Sequence, residues 1–384
     1  PSTYSWTGSL STSASQAVTI GTLNQVAPNS YVIKAWTSNI NGGQIDGSNL
    51  NDTSRLTSAA GLNGTYTINP SGSGSTNFTS FTAAATALST QGICGPVTFN
   101  VSNGTYTEQV TLTSINGASA SNRVTFKSAS GDSSLVVLQY NATSTNYTLS
   151  FNGVSYVTFK KMTIAALNSG NGIAVDFRNI PTNDSLSNCR ITTQTVSLTG
   201  TANAAIFQQS AAPVSVTISN NVILNGSYGI YWNTNNSATH TEGTTIVGNQ
   251  FTNQYYMGMY TYYCDGTYFN NNVITSNTAY TSYYGAYMYW TTSLTRSVQV
   301  NTNRIYGNMM GYGFYFYYLG VNSSNPTTVS NNMVQMGSTS GASNTVGMYF
   351  ASSNYQVFCY HNTSVVYGTS ASNYGASCNG FVST

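Results

Sequence analysis

The sequence has 384 residues, of which only 5% are Asp, Glu, Lys or Arg, while 40% are hydrophobic and 30 are Tyr; an average soluble domain is roughly 25% charged. Ten basic and eight acidic side chains leave a net charge of +2, thinly spread, which excludes a basic stripe for nucleic-acid phosphates. No apolar run approaches the roughly 20 residues needed to span a bilayer as a helix.

Asn, Ser, Thr, Gly, Tyr and Val take the place of the Glu, Lys and Ala that usually cover helices, so an almost all-β protein is expected. Neither nucleic acid nor a membrane span enters the expected partners, and export would require a signal outside this sequence.

Residues 1–57 contain three strand-like stretches, YSWTGSL, AVTIGTL and YVIKAWTS, followed by the turn-rich NINGGQIDGSNLND. They are too few for a stable sandwich and look like the second half of an immunoglobulin-like domain. The missing strands would come from a longer polypeptide or from another molecule. Residues 58–92 form a linker and cap, whose helix is predicted over 76–89 with Thr76 or Asn77 as its cap and Phe78, Phe81, Ala85 and Leu88 as its apolar stripe. Such a helix would close the open end of a solenoid.

From residue 93 the chain repeats itself. The strand phrases VTFN (97–100), VTFK (124–127) and VTFKKMTI (157–164) are followed by VTISNNVI, TYFNNNVI, VQVNTNRI and TVSNNMV. Asn221, Asn249, Asn272, Asn303 and Asn332 follow one another at 28, 23, 31 and 29 residues, one coil of a solenoid with about three short strands. Residues 93–384 therefore read as a right-handed parallel β-helix of the pectate-lyase-like kind, with Asn in left-handed turn positions. His361 is expected in an Asn-type turn position.

Between these phrases lie GIYWN, GMYTYY, GAYMYW, GFYFYY and GMYF. Alternation along a strand puts Ile230/Trp232, Met259/Thr261, Ala286/Met288, Phe314/Phe316 and Met348/Phe350 inside. The opposite face carries Tyr231, Tyr260, Tyr262, Tyr287, Tyr289, Tyr315, Tyr317 and Tyr349, a ladder of phenols. Eighteen of the 30 Tyr fall within residues 221–320. Aromatic faces of this kind stack on sugar rings or a dry surface, brace neighbouring coils, or pack against another subunit.

The phrases AWTSNINGGQIDGSNLND and GTYTINPSGSGSTNFTSFTAAATALSTQGICGPVTFNVSNGTYTEQ, followed by Asn-rich coils, resemble the large cell-surface proteins that Bacteroidota export by type IX secretion. That resemblance spans essentially the whole chain. It implies alternating immunoglobulin-like and parallel β-helix modules in a secreted adhesin, including gliding-motility adhesins and filament-like surface proteins. The family's C-terminal sorting domain is absent from this sequence, in keeping with a fragment of a larger parent. Asp184-Ser185-Leu186 resembles the O-glycosylation signal of that group, which makes Ser185 a candidate acceptor.

β-Helix folds also carry pectate lyases, polygalacturonases and tailspike glycosidases, so acids matter. Glycoside hydrolysis needs two carboxyls, and none of the eight acids appears paired or in phase with another on a neighbouring coil. Asp176/Arg178/Asp184 and His240/Glu242 are the nearest combinations, read as an exposed surface pair and a polar loop. No nucleophile elbow is present. Cys94, Cys189, Cys264, Cys359 and Cys378 are odd in number without a CxxC pair, so they read as small buried hydrophobes, and no metal or cofactor is expected. Cys359 and Cys378 are the one pair near enough in sequence for a local bridge. The sequence thus points to a non-enzymatic adhesin or filament module presenting a Tyr-rich face to a polysaccharide, a solid surface or identical subunits. The alternatives are a protomer polymerising by strand complementation and a polysaccharide lyase or hydrolase.

Overall fold

The computed structural model describes residues 2–11, 13–23, 30–38, 53–209, 213–234, 241–320, 324–337, 344–352, 354–378 and 381–382. The chain divides into two units, Pro1–Gly61 and Leu62–Thr384. In the first unit, β1 (Ser30–Trp36) pairs antiparallel with β2 (Thr53–Ala59), from Ser30 opposite Ala59 to Trp36 opposite Thr53. YSWTGSL and AVTIGTL form no strand, because strand propensity without a partner edge leaves the backbone to water. The turn-rich stretch NINGGQIDGSNLND, residues 39–52, lies outside the described residues.

The second unit is an all-β parallel solenoid of about ten coils, with three sheets of 12, 10 and 11 strands. One coil shows the path: Val157–Lys160 in sheet 1, Thr163–Ala166 in sheet 2, Val175–Arg178 in sheet 3. Each strand pairs in parallel with its counterparts on the coils before and after. The solenoid starts at Leu62 rather than residue 93, since Leu62–Ile68 already pairs with Ile93–Val101. LNGTYTI carries the alternation of a strand but none of the Asn punctuation that marks later coils.

Like residues pile into columns inside. Phe99, Phe126 and Phe159 share one register and stack at 4.7 and 4.5 Å between centroids. All three are fully buried, as are Ile230, Trp232, Met259, Ala286, Met288, Phe314 and Phe316.

The helix α1 (Phe81–Gln91) begins later than the sequence predicts. Asn77–Phe78 instead pairs with Thr67–Ile68, and Ser80 caps the helix by accepting from the Ala83 amide at 3.0 Å. Glu108, from the coil beneath, accepts from the amides of Phe81 (3.1 Å) and Thr82 (2.8 Å) and from the Thr82 hydroxyl (2.7 Å). A carboxylate there satisfies orphan donors and meets the positive end of the helix. Phe81, Ala84, Ala85, Ala87 and Leu88 are buried, and Phe81 continues the aromatic stack over Phe126 at 6.0 Å.

The repeating Asn are wholly buried between sheets 1 and 2. Asn221, Asn249, Asn272, Asn303 and Asn332 each donate from Nδ2 to Oδ1 of the next, ending on Asn362, at 2.9–3.1 Å. Their backbone amides donate to the same oxygens at 2.9–3.0 Å. The left-handed residue is not the ladder Asn, as the sequence reading has it, but the one before: Asn220, Asn271, Thr302 and Asn331, with φ of 54–62°. His361 occupies that position in the last such turn, at φ 54°. Cys189 holds the ladder position one coil earlier and receives the oxygen of Asn221 on its amide at 2.9 Å.

Only Cys189 and Cys264 are buried; Cys94, Cys359 and Cys378 are exposed, and none of the five is in a disulfide. The reading of all five as core hydrophobes therefore fails at three positions. Cys359 and Cys378 continue the inward columns of Val329 and Phe350 onto the last described coil, where no further coil of the described residues covers them.

Candidate functional site: an aromatic face on sheet 3

The strands Tyr228–Asn233, Met257–Asp265, Tyr283–Thr292, Gly311–Leu319 and Val346–Ala351 lie side by side in sheet 3. Each carries a glycine that the next coil requires. A Cβ on Gly229, Gly258 or Gly285 would lie 2.5 Å from the carbonyl oxygen of the glycine above. That close approach holds the strands in one register.

The register aligns Phe207, Tyr231, Tyr260, Tyr287, Tyr315 and Tyr349 in one column. Their centroids are 5.4, 5.3, 5.4, 4.6 and 5.0 Å apart, parallel at the first two steps and steeply inclined afterwards. Two residues on, Tyr262, Tyr289 and Tyr317 form a second column with spacings of 4.7 and 4.8 Å. All eight predicted ladder tyrosines are thus on the outer face of one sheet. They are half-buried, because each ring covers its neighbours.

Two further columns escape the sequence reading. Tyr284 stacks on Tyr312 at 5.1 Å and on Tyr287 at 5.1 Å; upstream Met257 and then Tyr228 hold the same register position, and Tyr256 packs edge-on against both Tyr228 and Tyr284. On the other flank, Tyr263, Trp290 and Tyr318 stack at 5.5 and 4.4 Å. These three have φ of 53, 52 and 54°, a conformation that costs a bulky side chain roughly 1 kcal/mol or more. Interrupting the alternation lets both members of each Tyr262–Tyr263, Tyr289–Trp290 and Tyr317–Tyr318 pair face outward. The strand then turns back, so that Cys264, Thr291 and Leu319 point inward. The aromatic doublet repeated on three coils, Tyr262-Tyr263, Tyr289-Trp290 and Tyr317-Tyr318, is the sequence signal that could have revealed this column.

Burial, with the repulsion a phenolate would feel from neighbouring phenols, pushes the hydroxyls of Tyr260, Tyr284 and Tyr287 well above their ordinary 10.0. Tyr315 is pushed up to about 12. The face is therefore uncharged at neutral pH. Its strands contain no Lys, Arg or Glu, and their one acid, Asp265, is buried.

The acids are placed differently from the sequence expectation. Asp176 is 1% exposed rather than on the surface. It stands in the column below Phe207, ion-paired to Arg178 and accepting from the Ser150 hydroxyl at 3.3 Å. Burial raises its carboxyl above the usual range, although Arg178 and Ser150 pull it down. Asp184 is buried, accepts from the Val157 amide at 2.7 Å, and is raised well above the carboxylate range by burial. Glu242 and Asp265 do share a register on neighbouring coils, which the repeat alignment misses. Asp265, however, is committed to a turn, accepting from the amides of Leu294 (2.5 Å) and Thr295 (2.8 Å) and the Thr292 hydroxyl (2.7 Å). His240 lies outside the described residues. Ser185 sits half-buried in sheet 1 between Thr158 and Thr217. Among the described residues no three His, Cys, Asp or Glu gather as metal ligands, and no helix is long and apolar enough to cross a membrane.

No family model matches the chain. No curated protein matches it either. Among solved structures, the GH136 lacto-N-biosidase from Eubacterium ramulus superposes with a TM-score of 0.52 at 10% identity, over 83% of this chain and 67% of that one. The Dettilon tailspike protein gives a TM-score of 0.48 at 11% identity, over 74% of this chain and 51% of that one. Pectate lyase Pel9A gives 0.41 at 13% identity, over 73% and 77%. The chain thus spans about half the length of the tailspike and two thirds of the lacto-N-biosidase. At 10% identity the likeness to the lacto-N-biosidase speaks for the parallel β-solenoid fold alone.

Proposed function

We propose that this chain is a non-enzymatic β-helix module of a secreted cell-surface protein of the type IX adhesin kind. Its work is attachment through the aromatic face of sheet 3. The observation that carries this reading is the array of rings on the outer face of sheet 3, two columns of tyrosines in register with further aromatic rings packed along both flanks, on strands without an exposed charged group. Flat, uncharged rings with protonated phenols offer stacking surfaces and hydrogen-bond donors together, which suits a neutral polysaccharide or a dry solid surface. The strained left-handed aromatics widen the array at a cost to stability, as a surface selected for attachment would.

The test is binding of the intact chain to an array of neutral and acidic polysaccharides. Replacing Tyr231, Tyr260, Tyr287 and Tyr315 by Ser should abolish retention on neutral glycans while the β circular dichroism persists. Unchanged retention would overturn the reading.

A second reading, assembly by strand complementation, is favoured by the sheet of β1 and β2. It exposes Val32 (67%), Trp36 (55%) and Leu56 (61%), and two strands alone are marginal in water. Concentration-dependent fibres lost on Val32→Lys substitution would support it.

A further inference from the structure

Sheet 1 carries a second, chemically opposite surface. Its outer column runs Thr67, Asn100, Lys127, Lys160 in strict register, with neighbouring strands about 4.8 Å apart. Lys161 follows at the corner in left-handed conformation, φ 56°. Its ammonium reaches across to the turn of the preceding coil, where a Cβ on Gly131 would lie 3.7 Å from Nζ. These residues, with Ser128 to Gly131, line an open groove of about 680 Å³. Three of the chain's four lysines line it, a grouping that the thin spread of charge along the sequence does not show.

Like charges stacked at strand spacing repel one another, and among the described residues none of these lysines is in an ion pair. The one ion pair among those residues is Arg178–Asp176 on sheet 3. Asp132, beside the groove in sequence, keeps its charge, and its Oδ1 accepts from the amide and hydroxyl of Ser134, each at 2.8 Å. An arrangement that costs energy in the free protein is relieved by an anionic ligand.

We infer that the groove over Lys127, Lys160 and Lys161 binds an anionic glycan, a chain bearing carboxylate or sulfate groups laid along the solenoid axis. Lys127 and Lys160 follow one another along the solenoid axis with Lys161 beside them, a succession that suits a polymer with repeated charges better than a single ion. Thr67 and Asn100 extend the same line with groups that hydrogen-bond sugar hydroxyls. No aromatic ring lines the groove, so it lacks the stacking platform that single-stranded nucleic acid uses.

The experiment compares dextran sulfate with dextran, which share a backbone and differ in charge, on the full chain. Dextran sulfate should bind more tightly, with an affinity that falls as salt rises. The K127Q/K160Q/K161Q variant should lose roughly tenfold or more of that affinity, with dextran binding unchanged. A control of equal charge, K34Q/R190Q/R304Q, should keep it. Equal losses in the two variants would mean attraction by net charge and would overturn the site. So would an unaffected triple variant, displacement by millimolar inorganic phosphate, or single-stranded DNA binding as tightly as dextran sulfate. The aromatic-face variants leave this binding intact, so failure of one surface does not decide the other.

Discussion

Asp184 places a carboxyl where water does not reach, with one oxygen on the Val157 amide and the other, Oδ2, without a hydrogen-bond partner. Its folded pKa is raised by burial, so the protonated acid is the form that suits the fold. Whatever stability it contributes is present below the ordinary carboxylate value and lost as pH climbs through the raised one. Asp184→Asn should therefore melt higher than wild type at neutral pH, by about 1–2 kcal/mol. Calorimetry at acidic pH should show that advantage shrinking. Asn272 is the opposite case, a buried amide with every group engaged. Asn272→Leu strands the Nδ2 and amide donors of Asn249 and should cost about 2–5 kcal/mol in urea denaturation. The spacing of these Asn was readable in the sequence. Which of two adjacent residues takes the left-handed turn and which turns inward was not, because NNV, GNQ and NTNR satisfy either arrangement until the neighbouring coil supplies a carbonyl.

In sheet 3 the unit of behaviour is the column. Two of the four columns follow from strand alternation after each glycine, and they hold all eight tyrosines the sequence singles out. The other two depend on what alternation cannot express. Tyr263, Trp290 and Tyr318 face outward only because the backbone reverses its phase at them, and Tyr284 and Tyr312 precede the glycine from which the phase is counted. Ring packing couples the columns, with Tyr262 and Tyr263 at 4.1 Å and Tyr317 and Tyr318 at 4.8 Å. The phenols carry raised folded pKa values, so the fold binds their protons more tightly than the unfolded chain does. Stability should fall as pH rises beyond the ordinary Tyr value of 10.0, with Tyr315 ionising near 12. An alkaline titration followed by phenolate absorbance and circular dichroism together should show late ionisation coinciding with loss of β structure. Gly258→Ala should weaken the same sheet. Its methyl would meet the Gly285 carbonyl at 2.5 Å, forcing two coils apart at a cost of about 1–3 kcal/mol.

Across the whole solenoid, stability is a sum over coils and their contacts, closed at its first end by α1. The Asn intervals announced the solenoid and the apolar stripe of residues 76–89 announced its helical cap, whereas its true start at Leu62 was hidden in a coil that lacks the Asn phrase. Glu108 ties the cap to the coil beneath it through three hydrogen bonds. Glu108→Ala should loosen α1 by about 1–2 kcal/mol, seen as faster amide exchange in Phe81–Gln91 with the distant coils unaffected. The ladder of buried amides has a further consequence. Every coil from Asn221 to Asn332 hands its successor the same donor pair and receives the same acceptor. The glycines and rings of sheet 3 keep the same step. A gene that lost or duplicated one whole repeat would rejoin every column without a mismatch, whereas a change by part of a repeat would break them all at once. Length in this architecture is therefore inherited in whole coils, and reach can be altered without inventing a new residue.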